Sequence, residues 1–501
     1  MNKAIGKYRW TICSLVFFAT TVNYLDRAVI SLLKKTLSGE FNWSETDYAN
    51  IVICFQVCYA LGMMGAGRLI DKLGSKIGYA VATTLWSIAA ISHALVSSTM
   101  GFFAARGFLG ITEAGNFPAA IKTTAEWFPK KERAFATGIF NSGSNIGAIV
   151  APLTVPFIAK KWGWEWAFII TGAIGFIWLV LWFYFYEIPK KHKKLSAAEY
   201  EYIHSDLDEI QEDNSIKLSW GKLLTFKQTW AFAIGKFLTD PIWWFYLFWL
   251  PDFLKKEYGL SETGVALPLA VAYTIATVGS IFGGWLPMRF MKNGWEVFRS
   301  RKTSMLIYAF CALPVFTAQY FGKTDMWFAV CIVGFAMAAH QAWSANIFTT
   351  VSDMFPKKST ASVTGIGGMF GAFGGIIIAK SAGLLFDAYR ASGIAQSWVT
   401  AKANGLGDYV TNILSMQFYD KHNQLANLNQ KDLGSLAVEV VDKIKAIDPV
   451  AFAKLKELQV PIVKSSLSES YLIMFFICGA AYLTGWFIMH LLVPKMKRVE
   501  A

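Results

Sequence analysis

Phe128-Pro129-Lys130-Lys131 leads to Thr137-Gly138-Ile139, and Phe355-Pro356-Lys357-Lys358 leads to Thr364-Gly365-Ile366 at the same internal spacing. One motif written twice is an internal repeat. Its copies follow the fourth and tenth of twelve apolar runs, at approximately 10–33, 48–70, 77–98, 101–126, 134–158, 165–187, 229–254, 263–289, 303–321, 325–350, 361–386 and 469–493. Each run is long enough to cross a bilayer, which takes about 20 apolar residues. The pattern predicts an all-α integral membrane protein, with twelve transmembrane helices in two six-helix pseudo-symmetric halves and a site between them.

Composition points the same way. Of 501 residues, 54% are hydrophobic and 16% are Phe, Trp or Tyr, more than a soluble domain needs. The formal net charge of +13 would suggest nucleic acid in a soluble chain. Here the basic residues cluster in short loops between apolar runs, so they report topology instead, and no nucleic-acid partner is expected. Arg68, Lys72 and Lys76; Lys130, Lys131 and Arg133; Arg289, Lys292, Arg299, Arg301 and Lys302; and Lys357 and Lys358 fall on one side. Lys3, Lys7, Arg9, Lys495, Lys497 and Arg498 place both ends of the chain there too, in the cytoplasm. The first run is too long and too charged for a cleavable signal peptide. All six cysteines lie in apolar runs. Cys54 and Cys58 are one helical turn apart, but no His or further Cys accompanies them, so they read as small core residues.

Two polar stretches divide the chain. Residues 1–187 are expected to form an N-terminal six-helix half and 188–228 a cytoplasmic linker, with a helix starting at Leu195-Ser196-Ala197-Ala198-Glu199. Residues 229–493 form the C-terminal half, with an extracytoplasmic insert at 388–467, and 494–501 a cytoplasmic tail. Within the insert, 434–458 has helical period.

The first run contains Asn23-Tyr24-Leu25-Asp26-Arg27. Charges at membrane depth are expensive and mark function by default. A structural ion pair is the alternative. The fourth run adds Arg106-Gly107-Phe108-Leu109-Gly110-Ile111-Thr112-Glu113-Ala114-Gly115-Asn116-Phe117-Pro118. Arg106 and Glu113 are nearly two turns apart and project from one helix face. Arg can clamp a carboxylate with two hydrogen bonds, and a desolvated acid can take up and release a proton.

Gly67-Arg68-Leu69-Ile70-Asp71-Lys72-Leu73-Gly74-Ser75-Lys76 ends the second run. Its glycines permit a tight turn and close helix approach, and Asp71 can cap a neighbouring helix N-terminus. The stretch resembles the signature loop of the major facilitator superfamily. The resemblance implies a latch for the outward-open state, made by Gly67, Asp71, Lys72 and Gly74. After the eighth run the sequence reads Gly283-Gly284-Trp285-Leu286-Pro287-Met288-Arg289, with Met288 where that family has an acid.

Asn23 to Arg27, taken with Arg106 to Pro118, is similar to the anion:cation symporter family within that superfamily. The resemblance implies that Arg27 and Arg106 hold an organic anion, that Asp26 and Glu113 couple protons, and that Tyr24 and Tyr59 contact substrate. Lys236-Phe237-Leu238-Thr239-Asp240-Pro241-Ile242-Trp243-Trp244 and His340-Gln341-Ala342-Trp343-Ser344-Ala345-Asn346 resemble bacterial hexuronate transporters, over essentially all twelve spans. Trp243, Gln341, Asn346 and Asn145 join the expected substrate-binding set. Lys236 and Asp240, one turn apart, can pair and are possible additions. Asp240 could also be the counterpart of Asp26 in the second half. The tryptophans suit sugar ring faces or a packing belt, and the amides suit sugar hydroxyls or helix-to-helix bonding. His340 is given no proton-relay role. Gly367, Gly371 and Gly375 share one helix face, the spacing that lets helices touch. The stretch from Gly374 to Lys380-Ser381 lacks a phosphate loop's second glycine and its preceding strand, so ATP-driven transport is not expected.

These features describe a proton-coupled symporter of a sugar-acid anion, a hexuronate first and an aldonate, aldarate or other organic anion second. A membrane sensor is the rival class, against which no signalling domain is appended. No nucleophile–base constellation, metal cluster or cofactor motif suggests an enzyme. The expected setting is the bacterial inner membrane, with a small anion, a proton and the bilayer as partners of a working monomer.

Overall fold

The computed structural model describes residues 5–43, 45–206, 218–261, 264–403, 449–495 and 497–499. Helices account for every regular element among them apart from turns. The first three spans are Tyr8–Leu32, Glu45–Leu73 and Ser75–Ser92. The fourth is two segments, Thr99–Glu113 and Asn116–Trp127. Lys130–Trp162 and Trp164–Phe185 complete the first half. The second half comprises Lys227–Tyr258, Ala266–Lys292, Val297–Ala312, Met326–Met354, Thr360–Ala403 and Pro449–Leu492. Ten helices among the described residues are long and apolar enough to cross a membrane. The remaining two spans are the broken fourth and the seventh, Lys227–Tyr258, which carries Lys236 and Asp240 in its middle.

The break in the fourth span has a local cause. Pro118 lacks an N–H, and its ring clashes with the carbonyl four residues back, that of Ala114. The helix therefore ends at Glu113 and restarts at Asn116. Irregular backbone at this depth is tolerated where it borders a cavity.

The halves interlock on the face that carries both termini. Arg133 Nη1 donates to Ser352 O at 2.9 Å, Ser280 Oγ to Gly138 O at 2.8 Å, and Arg301 Nη2 to Lys130 O at 2.6 Å. Gly67 lies directly on the Ala361 carbonyl, and Gly284 on Ala134 and Phe135, where any side chain would clash. Gly367, Gly371 and Gly375 face the seventh span at Phe232, Asp240 and Trp244. The protein is thus closed on its terminal face.

Between the halves, Ser196 Oγ accepts from Glu199 N at 3.2 Å and caps a short helix, Ala197–Ile203. This is the helix expected from Leu195 onward. Residues 207–217 lie outside the described residues.

The last two spans differ from expectation. Each is a single helix of 44 residues, about 66 Å at 1.5 Å per residue, twice the bilayer core. The segment 388–467 is therefore not wholly a separate insert: 388–403 and 449–467 continue the spans. Gly393 lies against Ser466 and Val463, and Ile394, Ser397 and Leu467 are buried there. Hydropathy could not reveal this, because both extensions are polar helices beyond the apolar runs. Of the helical stretch read at 434–458, 449–458 falls in the last span, and 434–448 lies outside the described residues.

Candidate functional site

A cavity of about 570 Å³, its mouth included, lies between the halves at mid-depth. Its first pole is Arg27. The guanidinium sits among the rings of Tyr24 at 4.6 Å, Tyr59 at 4.7 Å, Phe55 at 5.2 Å and Trp244 at 5.9 Å. Aromatic faces stabilise a cation without neutralising it. Arg27 Nε donates to Glu113 Oε2 at 3.0 Å, and Glu113 is fully buried at the break of the fourth span.

Arg106 is placed otherwise than the helix-face argument suggests. Seven residues of helix rise about 10 Å, so Arg106 acts on Glu113 only as a neighbouring charge, and the close ion pair is made by Arg27 of the first span. Arg106 is buried and does not line the cavity. Its guanidinium is 5.7 Å from the Phe55 ring, and Nε and Nη2 have no hydrogen-bond partner among the described residues. Asp26, adjacent to Arg27 on the helix, points elsewhere, as neighbours in sequence do. It is buried away from the cavity, with Thr171, Glu113 and Arg106 as its polar and charged neighbours.

The second pole belongs to the seventh span. Lys236 Nζ meets Asp240 Oδ2 at 2.7 Å and lies 3.7 Å from the centre of the Phe348 ring. Trp243 stacks on His340 at 5.3 Å, and His340 Nδ1 shares a 2.7 Å hydrogen bond with the Tyr482 hydroxyl.

The two amide readings separate. Gln341 lines the cavity and also ties the halves: Asn141 Nδ2 donates to its Oε1 at 2.7 Å, and its Nε2 donates to Asn145 Oδ1 at 3.0 Å. Asn145 is fully buried behind it and does not line the cavity. Asn346 spends its Nδ2 on Gly283 O at 2.7 Å and Ala342 O at 2.9 Å, so it joins the tenth span to the eighth and is not a cavity group. Phe117 and Phe348, stacked at 5.2 Å across the halves, also line the cavity. Nothing in the sequence distinguished them from other apolar residues. His340 and Ser344 were visible as polar groups at bilayer depth.

On the terminal face, Asp71 Oδ2 accepts from Ser362 N at 2.7 Å and Ser362 Oγ at 2.6 Å, at the start of the eleventh span. Its Oδ1 pairs with Lys122 at 2.7 Å. Gly74 takes φ +79°, which turns the chain into the third span, while Lys72 is exposed. At the start of the fifth span the linker supplies an acid. Asp206 Oδ2 accepts from Lys130 N at 2.8 Å, capping the fifth span, and lies 3.8 Å from Arg133 Nη2.

Residues 16–379 match the family model described as Major Facilitator Superfamily. The chain is 35% identical over 390 residues to the hexuronate transporter of Escherichia coli K12, covering 77% of this chain and 89% of that one. It is 38% identical over 285 residues to the galacturonate transporter of Dickeya chrysanthemi, covering 57% and 83%. It is similar in fold to a solved proton:xylose symporter, with a TM-score of 0.61 at 17% identity over 87% of this chain and 95% of that one.

Proposed function

Because the chain belongs to the Major Facilitator Superfamily, a family of multi-pass membrane transporters and not of enzymes, we propose that it is a proton-coupled symporter of a sugar-acid anion, a hexuronate, working by alternating access. The observation that carries this reading is Arg27: a cation facing the cavity, walled by aromatic rings, with its paired acid, Glu113, buried behind it. The similarity to hexuronate and galacturonate transporters supports the substrate class.

In this reading the substrate carboxylate binds Arg27 and competes with Glu113 for it. Glu113, deprived of its hydrogen-bonded partner, is a buried charge left with only the unbonded Arg106 as counter-charge, a situation costly enough that a proton removes it. Asp26, with Arg106 nearby, is the second proton site, and Arg106 acts on the anion through the field inside the first half. Tyr24, Tyr59 and Trp243 offer faces to the sugar ring, and Gln341 offers an amide. The terminal face is the cytoplasmic one, in keeping with its Lys and Arg residues. The conformation is then outward-facing, latched by Asp71 on Ser362, in a bacterial inner membrane. The halves 1–187 and 229–493 rock about the cavity while the 188–228 linker joins them.

Counterflow in proteoliposomes with glucuronate, galacturonate, galactonate and glucarate tests the proposal. Exchange of the uronates is expected. No exchange of any of the four would reject it, and exchange of galactonate alone would move the assignment to an aldonate.

A further inference from the structure

The two charged poles of the cavity have opposite polarity. At the first, the cation faces the cavity: Arg27 lines it, and the Glu113 side chain behind has no exposed surface. At the second, the acid faces the cavity: Asp240 keeps 20% of its side chain exposed and Lys236 keeps 3%. Lys236 is enclosed further by the Phe348 ring. Lys236 and the close approach of Gly371 both fall on Asp240 Oδ2, so the ion pair and the helix contact hold that oxygen and leave Oδ1 as the one turned to a ligand. The other titratable or charged groups on the cavity wall are Tyr24 and Arg27 on the first span, Tyr59 on the second and His340 on the tenth; the eleventh contributes only Gly368 and Ala372.

We propose that Asp240 is a specificity-determining residue: it accepts hydrogen bonds from the hydroxyl end of a sugar acid whose one carboxylate lies at Arg27, and it repels a second carboxylate. The inference rests on the sugar-acid reading above and narrows it. Uronates and aldonates carry one carboxylate and hydroxyl donors at the far end, so they match a cation-forward pole facing an anion-forward pole. Aldarates carry a carboxylate at both ends. Their second carboxylate would meet the exposed acid, while the cation that could receive it is already paired and covered. Discrimination built from a repulsive element as well as an attractive one is how binding sites reject close analogues. Like charges brought together at an interface are strongly disfavoured. A hydroxyl-reading acid adds preference for the ligand that can donate to it.

Equilibrium binding of glucuronate, galactonate and glucarate to the purified full-length protein, beside Asp240→Asn, tests this. The wild type should favour the better-bound monocarboxylate over glucarate by about 100-fold, the scale of a like-charge penalty at an interface. Asp240→Asn removes the repulsion and frees Lys236 to receive a second carboxylate, so the ratio should narrow by about tenfold or more, through tighter glucarate binding. A merely structural Asp240 would weaken all three ligands alike and leave the ratio unchanged, which would overturn the inference and leave the sugar-acid reading standing. Should the variant not fold, the wild-type panel still decides: equal affinity for glucarate and the monocarboxylates overturns it. A wild type that binds neither monocarboxylate overturns the sugar-acid reading as well.

Discussion

Glu113 binds Arg27 of the first span at 3.0 Å, and Arg106, seven residues earlier on its own helix, has no part in that pair. The acid and the cation therefore come from different spans, and the acid is the last helical residue before the break that Pro118 imposes. In the proposed symport, substrate that takes Arg27 would separate them.

Arg27→Ala should lower substrate affinity by about 100-fold in equilibrium binding, because truncating one partner of a buried charge pair also strands the other. Arg27→Lys should rescue poorly, since a point charge has no planar fork for a carboxylate and stacks less well on rings. Arg106→Ala should weaken binding less than Arg27→Ala, because Arg106 stands outside the cavity wall. Near-normal binding by Arg27→Ala would remove that residue from the site.

Asp71→Asn loses the ion pair with Lys122 and weakens the acceptor for Ser362. Hydrogen bonds to charged groups are worth about 1.5–3 kcal/mol each, so the closed terminal face should open more readily. Uptake at equal expression should fall well below that of any polar substitution at Met288. Equal effects at the two positions would contradict the latch.

Asp206→Ala removes the cap on Lys130 N. Loss of such a cap costs about 1 kcal/mol, and uptake should fall while binding is retained. Placing the absent acid back, as Met288→Asp in the Asp206→Ala background, should restore part of the lost uptake. Wild-type uptake by Asp206→Ala would show that the linker carboxylate has no latching role.

Much of the fold was legible. The repeated Phe-Pro-Lys-Lys motif and the apolar runs marked both halves, because a bilayer demands one long apolar helix after another. Gly367, Gly371 and Gly375 marked a helix contact because only their spacing permits one. The pairing of Glu113 was not legible, since its partner lies 86 positions away and depends on how two spans register in depth. Lys122 and Asp206 carried no local signal at all: each is an ordinary charged residue until the tertiary fold brings it to Asp71 or Lys130. Asn346 and Gln341 looked alike in sequence, and only the placement of the eighth and fifth spans shows where their amides point. The extended eleventh and twelfth helices escaped notice because their outer turns are polar.

Gly393→Leu should force those two outer helices apart at Ser466 and Val463. Overpacking a close contact of this kind costs about 1–3 kcal/mol, and thermal unfolding in detergent should shift down accordingly. An unchanged transition would show that the extensions do not stabilise the protein. Excising 388–467 as a block should be more damaging still, since it removes packed helix from both spans.

In the proposed cycle Glu113 carries the coupling proton once substrate takes Arg27, and Glu113→Gln isolates that step. Gln keeps the shape and hydrogen-bonding capacity of the protonated acid but cannot release a proton. Counterflow, which needs no proton gradient, should persist in proteoliposomes, while accumulation driven by an imposed pH gradient should be lost. Full gradient-driven accumulation by Glu113→Gln would show that Glu113 is not the coupling site and leave the Arg27–Glu113 pair a structural one.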